Sequence, residues 1–451
     1  MPRTLNQIYS NFSNDSLKAG YVMAFEERGA SEILNIWNWD SFQGDAHKFN
    51  VQKSLPKTPS TRDPFDINTA PPSEDAETHL IRLYQAQMYR NFNVPAAAQN
   101  RMVDTNDQAA VKAQENAQSM YTEYMFQKFH GDGSFQENTM NSTSGSRNNL
   151  CGLDWWLDMY AGHYMGGSFT EGTYYVRDFK GQKVFGTSTY TPSADDAERE
   201  VLSYHMWDDA KSLIKGPIGQ LVIVTDRQSW LRAVKTLRAE GGNTMSMQMG
   251  EERITTYQGY DNTPVIVSDT IGKPKEAYDA DVSGTTLTVN GAFIGFGDID
   301  VGRVVRIEGA DFSGAAGHGD ETDEQGRPLD DDQTKIAAWT GRDEATLKHA
   351  AAAPVTGAEL TSNRVHVTYV LNMNGRNPIK TVYPASNEAN PDTYGVALEG
   401  EYDGSIAGFD VGRIGREAGK GATNFYYAQF DGNVCVEDPF SVSRVSGYKL
   451  R

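Results

Sequence analysis

Residues 202–242 read LSYHMWDDAKSLIKGPIGQLVIVTDRQSWLRAVKTLRAEGG, and the fold is decided by how this stretch divides. Trp207, Ala210, Leu213 and Ile214 recur at the three-and-four spacing that places apolar side chains on one helical face, and Gly216-Pro217 stops the pattern. Leu221, Val222, Ile223 and Val224 then form a short, continuous apolar run of the kind found in strands covered on both faces. Asp226 opens a second helix, because its carboxylate can accept from free backbone N–H groups of the first turn. Trp230, Val234 and Leu237 line one face of that helix, and Gly241-Gly242 supplies its stop. A last strand is expected to begin at Tyr257, with Gly259 and Pro264 marking a turn before Val265-Ile266-Val267 and Ser268-Asp269. The whole reads as an α/β scaffold without a cluster of reactive side chains.

Upstream, residues 1–35 carry a short helical pattern through Ala24, Phe25 and Ile33. Residues 36–78 read as extended; they contain Trp37, Trp39 and Phe49, and then the polar run Lys53-Ser54-Leu55-Pro56-Lys57-Thr58-Pro59, whose prolines exclude a helix. So long a segment with little core-forming pattern suggests an exposed arm or hairpin. From about 98 to 129 the chain is helical, with Ala110, Ala113, Ala117, Met120 and Tyr124 forming a narrow seam. At roughly 1.5 Å per residue that helix is about 45 Å long. Gly131 and Gly133 end it, and Asp132 between them can take a positive dihedral or cap a turn. His130-Gly131-Asp132 could carry chemistry, but a helix terminus with two glycines accounts for it. Trp155 and Trp156 follow as core or interface anchors.

Composition bounds the function. A chain of 451 residues can bury a sizeable core, and no apolar run approaches the roughly 20 residues that span a bilayer. The N-terminal MPRTLNQIYSNFSNDS has no apolar signal-peptide core, so cytosolic synthesis is expected. Cys151 and Cys435 give neither a disulfide framework nor a CxxC pair. With 60 acidic and 41 basic side chains, the net charge of -19 opposes tight binding to nucleic acid. Signatures of enzymes are missing: Ile414 and Gly421 break a phosphate loop around Gly419-Lys420, there is neither HExxH nor GxSxG, and the eight histidines lack metal-ligand spacing. No catalytic, cofactor-binding or metal site is expected. The acidic loop from Asp320 to Gly326 and Asp330-Asp331-Asp332 matches a calcium loop poorly, with Glu321 and Asp332 as the end ligands, and reads better as solvated.

In their order, the proline-interrupted arm, the long helix ending at Gly131-Asp132, Leu150-Cys151-Gly152-Leu153 and the 202–269 element resemble the tailed-virus major capsid proteins of the Hong Kong 97 fold. Gly259 to Val265 resembles that family's Gly-x-Pro-Val strand with a longer spacer, and Phe425-Tyr426-Tyr427-Ala428-Gln429-Phe430 through Val445 resembles its closing strands. Two features depart from the pattern: Leu150 stands where an aromatic is usual, and about one hundred residues separate Asp269 from the closing strands. The resemblance implies an α+β capsid fold with an N-terminal arm (1–35), an extended loop (36–78), a spine helix and the start of a peripheral domain (79–200), peripheral helices and axial strands (201–279), and closing axial and peripheral strands (381–451). Between them, 280–380 reads as an inserted β-rich domain, with Val365, Val367, Tyr369 and Leu371 alternating in one strand and Val304, Val305 and Ile307 in another.

The function implied is a virion coat protein that assembles in the host cytoplasm into hexamers and pentamers of an icosahedral shell around double-stranded DNA. The implied partners are further copies of itself, a separate scaffolding protein and a portal, with no membrane; whether a decoration protein sits on the insertion is left open. Some relatives join an arm lysine to an asparagine; Lys48, Lys53 and Lys57 are present here, which leaves such a bond open. An encapsulin-type compartment shares the fold, and a soluble enzyme or binding protein is the alternative from another class.

Overall fold

The computed structural model describes residues 37–52 except 45, 78–95, 116, 119, 122–140, 148–161, 201–214, 220–239, 244–249, 252–257, 263–384 except 292, 324, 325, 365 and 374–377, and 405–450 except 407–408 and 417–422. In chain order come β1 (Asn38–Phe42), β2 (Ala46–Gln52), β3 (Thr78–Tyr84) and β4 (Ala86–Pro95), then helices α1 (122–130), α2 (Ser134–Met140), α3 (Leu153–Ala161) and α4 (Tyr204–Leu213). Next are β5 (Gln220–Thr225), α5 (Arg227–Ala239), β6 (Thr244–Met249), β7 (Glu252–Tyr257) and β8 (Pro264–Val267). They are followed by β9 (Glu276–Ser283), β10 (Thr286–Val289), β11 (Val304–Ile307), β12 (Gln333–Trp339), β13 (Glu344–Leu347) and β14 (Val355–Ser362). The described chain closes with β15 (Thr368–Met373), β16 (Ile379–Pro384), β17 (Ser405–Ile406), β18 (Phe409–Arg416), β19 (Thr423–Val436) and β20 (Val442–Val445).

The apolar run at 221–224 lies in β5, inside a sheet of order β20-β15-β5-β8-β7-β6. Its alternation serves two cores. Val222 and Val224 join Ile266, Tyr369, Leu371 and Val442 on one face, while Ile223 joins Val265, Val370 and Val445 on the other. All ten of these side chains are buried, each a contribution on the order of 2 kcal/mol for its apolar area. The second face is covered by α4 and α5, through Met206, Trp207, Ala210, Ala233 and Leu237, with Trp207 and Trp230 stacked at 6.0 Å. Asp226 caps α5 as its position demanded: its Oδ2 accepts from the backbone N–H groups of Gln228 (3.0 Å) and Ser229 (3.1 Å).

A second sheet runs β1-β16-β19-β18-β17, with β4 also paired to the long β19. A third unit is a closed six-stranded barrel of order β10-β13-β12-β11-β14-β9, filled by its own core of Val282, Leu287, Phe296, Val305, Ile307, Phe312, Ile336 and Leu360. Closure leaves this sheet without a free edge. β2 and β3 make an antiparallel pair of their own, in register from Ala46↔Tyr84 to Gln52↔Thr78.

Several expectations change here. Tyr257 ends a strand instead of starting one. β7 pairs with β6 from Thr244↔Tyr257 to Met249↔Glu252, and the next strand starts at Pro264, a first position that needs no ladder N–H. The alternating strand with Val367, Tyr369 and Leu371, expected with the β-rich segment 280–380, belongs to the first sheet, where β15 pairs with both β5 and β20. β16 belongs to the second sheet. The barrel therefore begins at Glu276 and ends at Ser362, because period-2 alternation marks a strand but does not say which sheet it joins. Within 36–78, β1 and β2 are extended, yet Trp37, Phe42 and Phe49 are buried in the main core, so this part is anchored to the body. Readings at Ala24, Phe25 and Ile33, the proline run 53–59, Ala110, Ala113, Ala117 and Met120, Gly216-Pro217, Gly241-Gly242, Gly259, Val365 and Gly419-Gly421 lie outside the described residues.

Candidate functional site: the junctions that hold hairpin and barrel to the body

The end of α1 is set by backbone crowding. Gly131 N donates to Gln127 O (2.7 Å) and Gly152 N to Gly131 O (2.9 Å), so two chain segments touch at glycines. A Cβ at Gly131 would lie 2.4 Å from Leu150 O, and one at Gly152 would lie 2.3 Å from Gly131 N, so no side chain fits at either. The positive dihedral sits at Gly133 (φ +66°), under the Trp155 indole. Asp132 caps the turn, its Oδ1 accepting from Ser134 N at 2.9 Å, and its Oδ2 reaches the barrel segment through Gly295 N at 3.2 Å.

His130 turns inward from the same helix end. Its Nδ1 is 2.6 Å from Asp154 Oδ2 and its Nε2 is 2.6 Å from Ile271 O. Asp154 Oδ1 accepts from Tyr369 Oη (2.8 Å) and Arg444 Nη1 (2.6 Å). Burial opposes ionisation of Asp154, but the Arg444 guanidinium and His130 outweigh it and hold the carboxyl well below its usual range. The network ties α1, α3, β15 and β20 together, and its members are buried. Nearby, Lys128 is fully buried with Nζ 3.7 Å from the Trp37 ring centroid and close to Trp39 and Tyr124. Burial pushes its ammonium well below the usual range.

The barrel is fastened by Arg342. Its guanidinium lies between Asp132 (Nε to Oδ2, 3.5 Å) and Glu137 (Nη2 to Oε2, 2.5 Å), and Trp155 Nε1 donates to Glu137 Oε1 at 3.4 Å. Burial raises Glu137 to about 7, against the pull of Arg342. Asn149 Nδ2 adds a bond to Phe293 O at 2.9 Å. At the barrel's base, Lys275 Nζ bonds Asp300 Oδ2 and Gly295 O, both at 2.8 Å, and Arg303 pairs with the other oxygen of Asp300 at 3.0 Å.

The hairpin is fastened at its root. His47 of β2 pairs with Glu437 just past β19 (Nε2 to Oε1, 3.1 Å), and Lys380 Nζ bonds both Glu437 Oε1 and Asp40 Oδ2 at 2.8 Å. Burial resists the charge on Glu437, yet hydrogen bonds from His47 and Lys380 keep its carboxyl below the ordinary range.

The acidic loop is arranged by ion pairs. Glu321 is shared between Lys335 (2.8 Å) and Lys348 (2.5 Å), Asp323 pairs with Arg327 at 2.7 Å, and Asp332 pairs with Arg306 at 2.6 Å. Glu321 and Asp332, the end ligands of the imagined calcium loop, thus face basic partners. Residues 276–362 carry seventeen acidic and six basic side chains, a net of -11 within the chain's -19. Large apolar side chains are exposed at Trp39 (43%), Leu80 (53%), Tyr89 (49%) and Leu231 (52%), and Tyr278 of the barrel is exposed at 71%. Tyr89 lines a cleft of about 420 Å³ with Met88, Arg90, Glu123 and Lys273. Among the described residues, no helix is long and apolar enough to cross a membrane.

No family model matches the chain, and no curated protein matches it. Solved structures do. The capsid asymmetric unit of cyanophage A-1(L) aligns over 98% of this chain and 99% of its own at 9% identity, with a TM-score of 0.50. The holo-SrpI encapsulin complex from Synechococcus elongatus aligns over 93% of this chain and 88% of its own at 7% identity (TM-score 0.44). The capsid of the native GTA particle aligns over 93% and 91% at 8% identity (TM-score 0.42). The full-length match to the cyanophage subunit, reached with almost no shared sequence, gives the architecture: the chain has the tailed-phage capsid fold, the Hong Kong 97 fold.

Proposed function

We propose that this chain is a shell-forming coat protein that assembles with copies of itself into the hexamers and pentamers of an icosahedral capsid, inside a host cytoplasm, around double-stranded DNA. The single observation that carries this reading is the end-to-end fold match to the cyanophage A-1(L) capsid subunit. The molecule's own surface supports it: the large exposed apolar side chains Trp39, Leu80 and Tyr89 lie on or beside the β2–β3 hairpin and β4, where a neighbouring copy would cover them. The buried networks give each subunit a rigid body, to which the β2–β3 pair is fastened at its root. Each contact between copies is modest, and closure of the shell multiplies them.

In this reading the barrel is a domain inserted between Thr270 and Thr368. Its net -11 is repelled by packaged polyanion, so it stands on the outer side of the wall, where a decoration protein would meet it. A scaffolding protein and a portal complete the assembly. The function resides in interfaces, and the reading assigns no catalytic or cofactor role to any residue.

The test is expression of the chain alone and with its neighbouring gene products, read by light scattering and electron microscopy. Closed particles tens of nanometres across support a shell, and nuclease-protected DNA within native particles separates a virion coat from an encapsulin-type compartment. A chain that stays monomeric under all these conditions overturns the proposal.

A further inference from the structure

Cys435 and Glu437 are two residues apart where β19 ends, so their side chains project from one face, and Lys380 stands opposite Cys435 in the ladder. His47 enters from the β2–β3 hairpin. The imidazole nitrogen, the Cys435 sulfur and a Glu437 oxygen all lie within 4.8 Å of one another. The His47 Nε2 to Glu437 Oε1 separation of 3.1 Å is close to the edge of about 3.3 Å that a tetrahedral ion imposes on ligands at roughly 2.0–2.1 Å. Phe42 and Phe49 flank the imidazole at ring distances of 6.0 and 5.8 Å, which fixes its orientation before any ion arrives.

We propose that His47, Cys435 and Glu437 bind a zinc-class divalent cation that clamps the root of the β2–β3 hairpin to the sheet behind it. One thiolate, one imidazole and one carboxylate form a donor set that suits zinc and disfavours magnesium or calcium, which take oxygen ligands. The sulfur is buried, while His47 and Glu437 keep 13% and 29% of their side chains exposed, so an ion can reach the site from solvent. Lys380 is the obstacle to weigh, since its ammonium already touches Glu437. It has a second carboxylate in Asp40, also at 2.8 Å, so it can stay bound there while the cation takes Glu437. The thiol proton leaves to solvent as sulfur bonds the ion. The charges of a dication, thiolate, Glu437, Asp40 and Lys380 then balance to zero. Three protein ligands leave the fourth position to water.

This proposal stands apart from shell formation, because the site lies within one chain. The full-length chain, stripped with a chelator and kept unassembled, is titrated with zinc chloride and separately with cobalt chloride. The expected results are one zinc retained per chain after dialysis, proton release on binding, a raised unfolding midpoint, and a thiolate-to-cobalt charge-transfer band. Cys435→Ser should abolish that band. Loss of a direct ligand in Cys435→Ser or His47→Gln should weaken zinc binding by more than the roughly 10–100-fold typical of outer-shell partners, and Cys151→Ser should leave it intact. Failure of the wild-type chain to retain zinc overturns the proposal, as does zinc binding that survives unchanged in both ligand variants. The wild-type titration decides the matter even where a variant does not fold.

Discussion

At the scale of single residues, this molecule is held by places where only one kind of group fits. Gly131 and Gly152 are such places, because two backbones meet there with no room for a Cβ. Gly131→Ala or Gly152→Ala is expected to cost about 3 kcal/mol, at the upper end of overpacking penalties. Gly284→Ala in the barrel, at φ +61° with open space around it, carries only the left-handed backbone penalty of about 1 kcal/mol. Denaturant midpoints of the three variants check the order. Glu137 gives a pH signature. Its carboxyl is raised from 4.5 to about 7 by burial, so the folded state holds a proton that the unfolded chain has released. That contribution to stability is present below pH 4.5 and is lost as pH rises towards 7. Glu137→Gln should flatten the stability profile across that window, a change on the order of 3 kcal/mol for a shift of this size. Arg342, Asp132 and Trp155 face this carboxyl, and stability measured against pH in both proteins tests the sign. Gly131 was legible in the sequence, because glycines at 131 and 133 after a helical seam mark a terminus, but the approach of Gly152 to it was not. The Arg342 clamp was not, since it joins residues more than 200 positions apart and no local pattern encodes which arginine returns.

At the scale of elements, legibility follows the same rule. The run Leu221 to Val224 and the Asp226 cap are local signals, and both stand where they were read. The β6–β7 pair was missed because Thr-, Met- and Gln-rich strands lack an apolar run, and β15 was placed with the wrong neighbours because a strand's partners are set by topology. The candidate site shows the limit most sharply: His47 and Glu437 are 390 positions apart. The barrel has a closed ladder, its own core and termini that meet where Thr361 pairs with Glu276, so residues 273–364 expressed alone should unfold in one cooperative transition seen by circular dichroism. A non-cooperative melt would show that the barrel depends on the body. The hairpin can be shortened where Gln52 pairs with Thr78, with an Asn-Gly turn replacing 53–77. Phe49, Ile81 and Leu83 stay in the core, so the thermal transition of the subunit should change little while assembly is lost. Normal shells from this variant would remove the hairpin from the assembly interface.

For the whole molecule, the absence of an obvious reactive cluster in the 202–242 stretch takes on a physical meaning. Strands β5, β8, β15 and β20 bury side chains on both faces and Asp226 is spent on capping α5, which makes a platform. The proposed function depends on the surfaces at β3 and β4, where Leu80 and Tyr89 are exposed, meeting copies of the same chain. The most direct test is cryo-electron microscopy of particles assembled from the full-length protein. The expected result is a closed shell whose wall contains the β20-β15-β5-β8-β7-β6 sheet, with the β2–β3 hairpin lying against a neighbouring subunit and the barrel on the outer face. A hairpin that contacts only its own subunit, or a barrel facing the enclosed DNA, would contradict it.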